Sequence, residues 1–346
     1  KTQKISFKEP SQVNGFNDNL ELQNNNINFA TPLYSLTVNN DMTISKTEDL
    51  QIVTQLIINN GSFVTTGNVE ANMLNINNTK ENQIQGNLNM TGTVVFKKGS
   101  LEVGGNAKFD NGYLQMKDTE DKLVVKGNMT LGETYGGSES DFLTNGTVEV
   151  KGDFTSNYKE TGSNWYGYYE TNMHKTIFSG EKTQKISFKE PSRVNRFSEN
   201  LELQNTDINF ATPLYSLTLN QDTVLIHTDL LKINEFLNLN GHKLATTGKT
   251  ECSNVAENGG TLEENPKLGH NYYKQLQPAD PKEYDAKYAD EIWVCKSCGK
   301  IFTDVEGTKE YDPDPCKNGH TIVVDEGKKA TCITEGLTEG EHCKVC

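Results

Sequence analysis

The hexapeptide KGNMTL, residues 126 to 131, returns in outline as TGNVEA (66 to 71), QGNLNM (85 to 90), GGNAKF (104 to 109) and KGDFTS (151 to 156). Its glycines, Gly67, Gly86, Gly105, Gly127 and Gly152, lie 19, 19, 22 and 25 residues apart. Apolar residues stand two and four positions before three of them, as Leu101 and Val103 or Leu123 and Val125. They stand again two and four after, as Ala107 and Phe109 or Met129 and Leu131. A strand with one buried face requires this alternation, because successive side chains point to opposite sides, and a helical period does not fit it. At each corner the glycine is expected to allow a bend or a positive φ. The Asn or Asp after it tolerates similar geometry and can bond its own backbone.

Short strands at this spacing could form an antiparallel sandwich or a parallel solenoid. The near-constant spacing, the same residue types at equivalent places, and the abundance of Asn near the turns favour the solenoid, since stacked amides bond from one coil to the next. The expected fold is therefore all-β, a parallel β-solenoid (β-helix). About a dozen coils at ~4.8 Å each would make a rod on the order of 60 Å long.

Composition agrees with economical use of apolar side chains: only 34% of the 346 residues are hydrophobic. The net charge is −14, and Arg193 and Arg196 are the only arginines among 33 basic residues. No basic face is expected to attract a phosphate backbone, so nucleic acid is not an expected partner. No apolar run approaches the roughly 18 residues that cross a bilayer, so membrane insertion of this segment is not expected, and KTQKISFKEP lacks the features of a secretory signal.

A second repetition is much longer. Residues 1 to 41 return as residues 182 to 222, identical at 33 of 41 positions, and the register holds as far as VTTG (64 to 67) against ATTG (245 to 248). The near-identical copies are thus 1 to 67 and 182 to 248, with extra coils over 68 to 181. Only the second copy is preceded by HKTIFSGE, and the chain stops on the second Cys of a CxxC. Both ends are expected to be cut from a longer array.

The run GYLQMKDTEDKLVVKGNMTLG, with FLTNGTVEVKGDFTSN and HKTIFSGEKTQKISFKEPSRVNRFSENLELQN, resembles repeats in large secreted, surface-anchored proteins of anaerobic Gram-positive bacteria, the clostridial and Lachnospira-like groups. The resemblance covers roughly residues 1 to 250. It implies an extracellular, cell-surface location and an adhesin-like or fibrous stalk, and it supplies no catalytic residue.

After ATTGKTEC the stretch SNVAENGGTLEENP reads as a linker, placed at 251 to 267. All seven cysteines lie from Cys252 onward. Two half-similar units follow, 268 to 317 and 318 to 346, similar to small GH...C...CxxC repeats of the same class of surface proteins. The second offers His320, Cys332, Cys343 and Cys346, one imidazole and three thiolates around a CxxC knuckle, suited to a structural tetrahedral zinc with no open position. The first offers His270, Cys295 and Cys298, with Cys316 or Cys252 to complete the set. Disulfides are the competing reading, natural for an exported protein. His342 is expected to be exposed rather than ligating.

Between VEVKGDF and TIFSG lies the insertion NYKETGSNWYGYYETNMH, residues 157 to 174. Its Trp165, Tyr166, Tyr168 and Tyr169 could form a platform for sugar rings or a partner protein, or pack back onto the rod. The acids Glu102, Glu149, Asp118, Glu120 and Asp121 read as scattered surface charge, and no nucleophile elbow, phosphate loop or HExxH is present, so no enzyme activity is expected. The expected function is a structural or adhesion segment that meets other copies of itself or a neighbouring surface protein. The alternative is a carbohydrate-binding or polysaccharide-cleaving solenoid, with glycans as ligands.

Overall fold

The computed structural model describes residues 1–16, 20–160, 165–171, 173–264, 272–276, 291–295, 301–302, 322–330 and 335–343. The chain divides into two compact units, Lys1–Leu268 and Gly269–Cys346.

The first unit is a parallel β-solenoid of about 13 turns, with no helix among the described residues. Its strand ladders all run parallel, which excludes the sandwich. Each turn lays strands on three faces. The first face carries Phe63–Thr65, Glu81–Ile84, Ser100–Val103, Lys122–Val125, Thr147–Val150 and Lys175–Phe178; the second carries Leu88–Met90, Ala107–Gly112, Met129–Tyr135 and Phe154–Ser156. The third carries Leu33–Val38, the C-terminal halves of Asp49–Ile58 and Asn68–Ile76, then Val94–Phe96 and Leu114–Gln115.

Register is kept residue for residue, so that Leu101 stacks on Leu123 and that on Val148, while Ala107 stacks on Met129 and that on Phe154. These alternating positions are fully buried and form one continuous core from Ile27 to Leu244. Each such Leu, Val or Phe contributes roughly 1.5–3 kcal/mol when taken from water. No single turn can bury its inner row alone, so stability resides in the stacking.

The Gly-Asn corners work differently from the sequence expectation. None of Gly67, Gly86, Gly105, Gly127 or Gly152 has a positive φ. They are glycines because successive turns come too close for a side chain: a Cβ on Gly127 would lie 2.7 Å from the Gly105 carbonyl oxygen and 2.4 Å from Asn106 Oδ1. The Asn next to each glycine caps the following turn rather than its own. The Asn68 side-chain oxygen accepts the Asn87 N–H, Asn87 that of Asn106, Asn106 that of Asn128, and Asn128 that of Asp153, each at 2.8 Å. Asp153 then accepts the Lys185 N–H at the same distance.

The long repeat is now explained in turns. Gln3–Ile5 and Gln184–Phe188 occupy the same face eight turns apart, so the offset of 181 residues is a whole number of windings and the second copy falls in phase with the first. In each copy the second-face ladder is interrupted, and in the second copy the first-face ladder also stops between Glu202–Leu203 and Thr223–Leu225. Ile27–Phe29 pairs with Gln3–Ile5 but not with the next turn, and Ile208–Phe210 pairs with Gln184–Phe188 but not with Leu230–Asn238. Just past each strand stands a proline, Pro32 or Pro213, which has no N–H to donate to a ladder.

A buried threonine takes the place of the missing strand partner. Thr47 Oγ1 accepts the Phe29 N–H at 2.9 Å and donates to the Ile27 carbonyl at 3.1 Å. Thr228 does the same for Phe210 and Ile208 in the second copy. Thr47→Val keeps the shape and strands both backbone groups, so it is expected to destabilise by about 1–3 kcal/mol, measurable as a shift of the urea midpoint.

The stretch expected to be a linker departs from that reading. Lys249–Cys252, Val255–Ala256 and Thr261–Glu264 pair in parallel with Leu230–Asn238 and Lys243–Thr246, so the windings continue to Glu264. Its Asn258 and Gly259, at φ of 48° and 87°, are turn residues of a coil.

In the second unit the described strands are antiparallel. Tyr272–Leu276 pairs with Glu291–Cys295, which pairs with Ile301–Phe302, and Ile322–Asp325 pairs with Gly340–Cys343.

Candidate functional site: the aromatic insertion and the cluster beneath it

The four aromatic residues singled out in the insertion divide between the core and the outside. Tyr168 is fully buried. Its ring packs against Phe154 and Phe197 at centroid distances of 5.1 and 5.9 Å, and its hydroxyl lies 2.8 Å from Thr176 Oγ1. Trp165 is 39% exposed. Tyr166 and Tyr169 are half-buried on the outer side of the third face, 5.0 Å apart.

Tyr169 pairs with Arg196 of the next turn, whose guanidinium carbon lies 5.5 Å from the Tyr169 ring and 6.0 Å from the Tyr215 ring. The first copy has Gly15 where the second has Arg196, so this cation–π bridge across an interrupted ladder belongs to the second copy alone. One turn back, Phe142 stacks on Tyr113 at 3.8 Å with an interplanar angle of 12°. The rings therefore spend their faces on one another and on Arg196, and a shallow cavity of about 430 Å³ between Tyr166 and the 138–141 loop has a mainly polar lining.

Beneath the insertion lies a polar cluster that the sequence reading missed. Glu170, His174 and Thr176 are buried in the core. The Ser198 N–H donates to Glu170 Oε2 at 2.7 Å and the Thr176 hydroxyl donates to Glu170 Oε1. His174 Nδ1 lies 2.7 Å from the Asn145 carbonyl, which can only accept, so Nδ1 carries a proton. His174 Nε2 has no hydrogen-bond partner and faces Glu170 Oε1 at 3.7 Å.

Ser198 Oγ donates to the His174 backbone carbonyl at 3.1 Å, not to its ring, so no nucleophile is activated here. With Glu170, His174, Thr176 and Ser198 buried, the cluster joins three successive turns through Asn145, Glu170 with His174, and Ser198. A signal for it was present: Tyr168 and Glu170 share the inward parity, and a carboxylate at an inward position needs buried partners.

Three tyrosines here report on burial. Removal from water pushes the Tyr158 phenol up to about 12 and raises those of Tyr135 and Tyr168, with the Glu170 carboxylate reinforcing the rise at Tyr168. The fold thus favours their neutral form. The stability tied to it is fully present below pH ~10, the ordinary value, and is lost as pH climbs towards 12 and unfolded tyrosines ionise. Phenolate absorbance from these three of the 13 tyrosines is expected to appear only together with loss of the β-sheet circular dichroism signal.

Most of the proposed metal ligands, His270, Cys298, Cys316, His320, Cys332 and Cys346, lie outside the described residues. Cys295 and Cys343 close described strands, and their registers correspond. Tyr272, two residues past His270, pairs with Cys295, as Ile322, two residues past His320, pairs with Cys343. Among the described residues no group of three or more metal-ligating side chains is gathered. Cys252 closes a solenoid strand, with Sγ 3.2 Å from the Asn254 carbonyl oxygen. His342 is 55% exposed, its Nδ1 2.6 Å from Asp325 Oδ2.

Comparison with protein families, with curated proteins and with solved structures returns no match for this chain.

Proposed function

We propose that this chain is a spacer: a structural segment of an extracellular bacterial surface protein that holds other parts at a distance. The observation that carries the reading is the duplication by eight whole turns. A module copied in phase extends the stack without disturbing either neighbour, because its strands keep the same inward row and the same threonine bridge, Thr47 in one copy and Thr228 in the other. The polar cluster fits the same role, since its hydrogen bonds run from turn to turn in a closed core.

The small Cys/His units would be compact, chain-stiffening spacers, with structural zinc held by His320, Cys332, Cys343 and Cys346 in one and by His270, Cys295 and Cys298, completed by Cys316 or Cys252, in the other. The matching registers of Cys295 and Cys343 support a shared design. Metal analysis of the purified chain tests this, and the absence of bound zinc would return the disulfide reading.

Inserting a further copy of residues 42 to 222 after Asp222 is expected to lengthen the rod by about 38 Å, eight turns at ~4.8 Å, seen by electron microscopy. A chain that misfolds or gains a separate globule instead would sink the spacer reading. Binding on a glycan array that disappears with Trp165→Ala would favour the carbohydrate-binding alternative.

A further inference from the structure

The buried cluster beneath the insertion bears on one particular peptide bond. His174 Nδ1 carries a proton and lies 2.7 Å from the backbone carbonyl oxygen of Asn145. Its Nε2 has no partner and faces Glu170 Oε1 at 3.7 Å, so the ring donates to that carbonyl alone. The residue after Asn145 is Gly146, with a φ of +77°. Gly146 is buried, and a Cβ there would lie 2.6 Å from the Asp121 carbonyl oxygen. The Asn145 side-chain amide is held by its own partner, with Nδ2 donating to the Lys117 carbonyl at 3.1 Å.

We propose that the chain cuts itself at the bond between Asn145 and Gly146, with Asn145 supplying the nucleophile and His174 activating the carbonyl. This goes beyond the spacer reading, which needs no chemistry. The Asn145 Nδ2 leaves the Lys117 carbonyl, attacks the backbone carbonyl carbon of its own residue and closes a succinimide ring. The bond from that carbon to the Gly146 nitrogen breaks, and the proton that leaves Nδ2 ends on the Gly146 amine. Nothing is oxidised or reduced and no water is consumed, so the residues present suffice.

An amide nitrogen is a weak nucleophile, so the carbonyl has to be the activated partner. Negative charge gathers on the Asn145 oxygen in the transition state, and the His174 Nδ1–H is already in place to receive it; a positioned donor of this kind contributes roughly 100-fold to 1,000-fold. Nucleophile and carbonyl belong to one residue, so no entropy of approach is lost. The Gly146 N–H makes no hydrogen bond among the described residues, so none is lost as the bond to it breaks. Burial of Gly146 keeps water, the competing nucleophile, from the same carbon.

Asn145 lies between the near-identical copies, 1 to 67 and 182 to 248. Both cut ends stay seated. Leu143 bridges to Met116 and Glu170 on one side of the bond, and Thr147–Val150 pairs with Lys122–Val125 and Lys175–Phe178 on the other. Cleavage therefore turns one rod into two half-rods joined only by stacked ladders, which denaturant separates and native buffer does not.

The full chain, purified and incubated for several days at neutral pH, is followed by denaturing gel electrophoresis and mass spectrometry. Two fragments are expected, residues 1 to 145 and residues 146 to 346, running together in native buffer. The first should be lighter by one water than a hydrolysed end, the mark of the succinimide. His174→Gln sets an amide against Glu170 and removes the donor from the carbonyl, so cleavage is expected to slow roughly 100-fold or more at an unchanged melting temperature. His174→Asn puts an amide N–H where Nδ1 stood and should keep most of the rate. Asn145→Asp, which holds the shape without the amide nitrogen, is expected to stay whole, and it decides the matter should the His174 variants not fold.

A wild type that stays whole, or that breaks at another bond, would overturn the proposal. So would an unbroken chain deamidated at Asn145, because the Gly146 nitrogen would then have attacked the side chain instead. A His174→Gln chain that cuts as fast as the wild type, or an Asn145→Asp chain that still cuts, would overturn it equally.

Discussion

Gly127→Ala is expected to lower the stability of the solenoid by about 3 kcal/mol, at the upper end for overpacking, read from the urea midpoint. The added methyl would lie 2.4 Å from Asn106 Oδ1 and 2.7 Å from the Gly105 carbonyl oxygen. The first of these could rotate away; the second is backbone, fixed by the Gly127 N–H that donates to the Gly105 carbonyl at 2.9 Å. Relief would require two turns to separate, opening ladders on the adjoining faces. Combining Gly127→Ala with Asn106→Ala should therefore recover little, and full recovery would show that only the side chain was in the way. Gly259→Ala makes the contrasting case: its φ of +87° carries strain of about 1–2 kcal/mol, but nothing lies within 4 Å of the new methyl.

Phe154→Ala is expected to cost more, about 3–5 kcal/mol, with loss of near-ultraviolet circular dichroism. Phe154 is fully buried, and its ring centroid lies 5.1 Å from Tyr168, 5.9 Å from Phe178, 5.5 Å from Phe188 and 5.3 Å from Phe197. These rings come from the same turn, its insertion and the next turn. Removing Phe154 leaves a cavity that they cannot close without breaking the hydrogen bond between Tyr168 and Thr176. Phe154→Leu keeps most of the volume and should lose only about 1–2 kcal/mol. An alanine variant as stable as the leucine one would show that the insertion is not docked on this cluster.

Much of the first unit was legible without coordinates. Alternation at positions such as Leu123, Val125, Met129 and Leu131 marked the inner row, and the spacing of the glycines marked the turns. The glycines were recognised for the wrong reason, however. A chain read one residue at a time suggests backbone freedom at Gly105, whereas its role depends on Gly86 and Gly127 in the turns on either side. The linker reading gave way similarly over 251 to 264: Asn258 and Gly259 look like flexible chain, but Leu237 and Leu244 pair with Val255 and Leu262 in the strands around them.

The insertion was legible as a place and not as an arrangement. Four aromatic residues close in sequence left both a platform and a loop packed back onto the rod open, and strand parity divides them, sending Tyr168 and Glu170 inward and Tyr169 outward. His174 meets Asn145, and Arg196 meets both Tyr169 and Tyr215, only because turns of unequal length bring those positions to the same height.

Local chemistry by itself determined that this protein would wind as stacked parallel strands, since inward apolar parity and close corners are properties of neighbouring residues. Which turn lies on which was decided by the tertiary structure. With it came the reason for each glycine, the threonine that bridges the second-face gap in each copy, and the hydrogen bonds that tie Glu170 to Ser198 and His174 to Asn145. Each of these is a relation between residues some 20 to 30 positions apart, and stacking is the physical process that makes such residues neighbours.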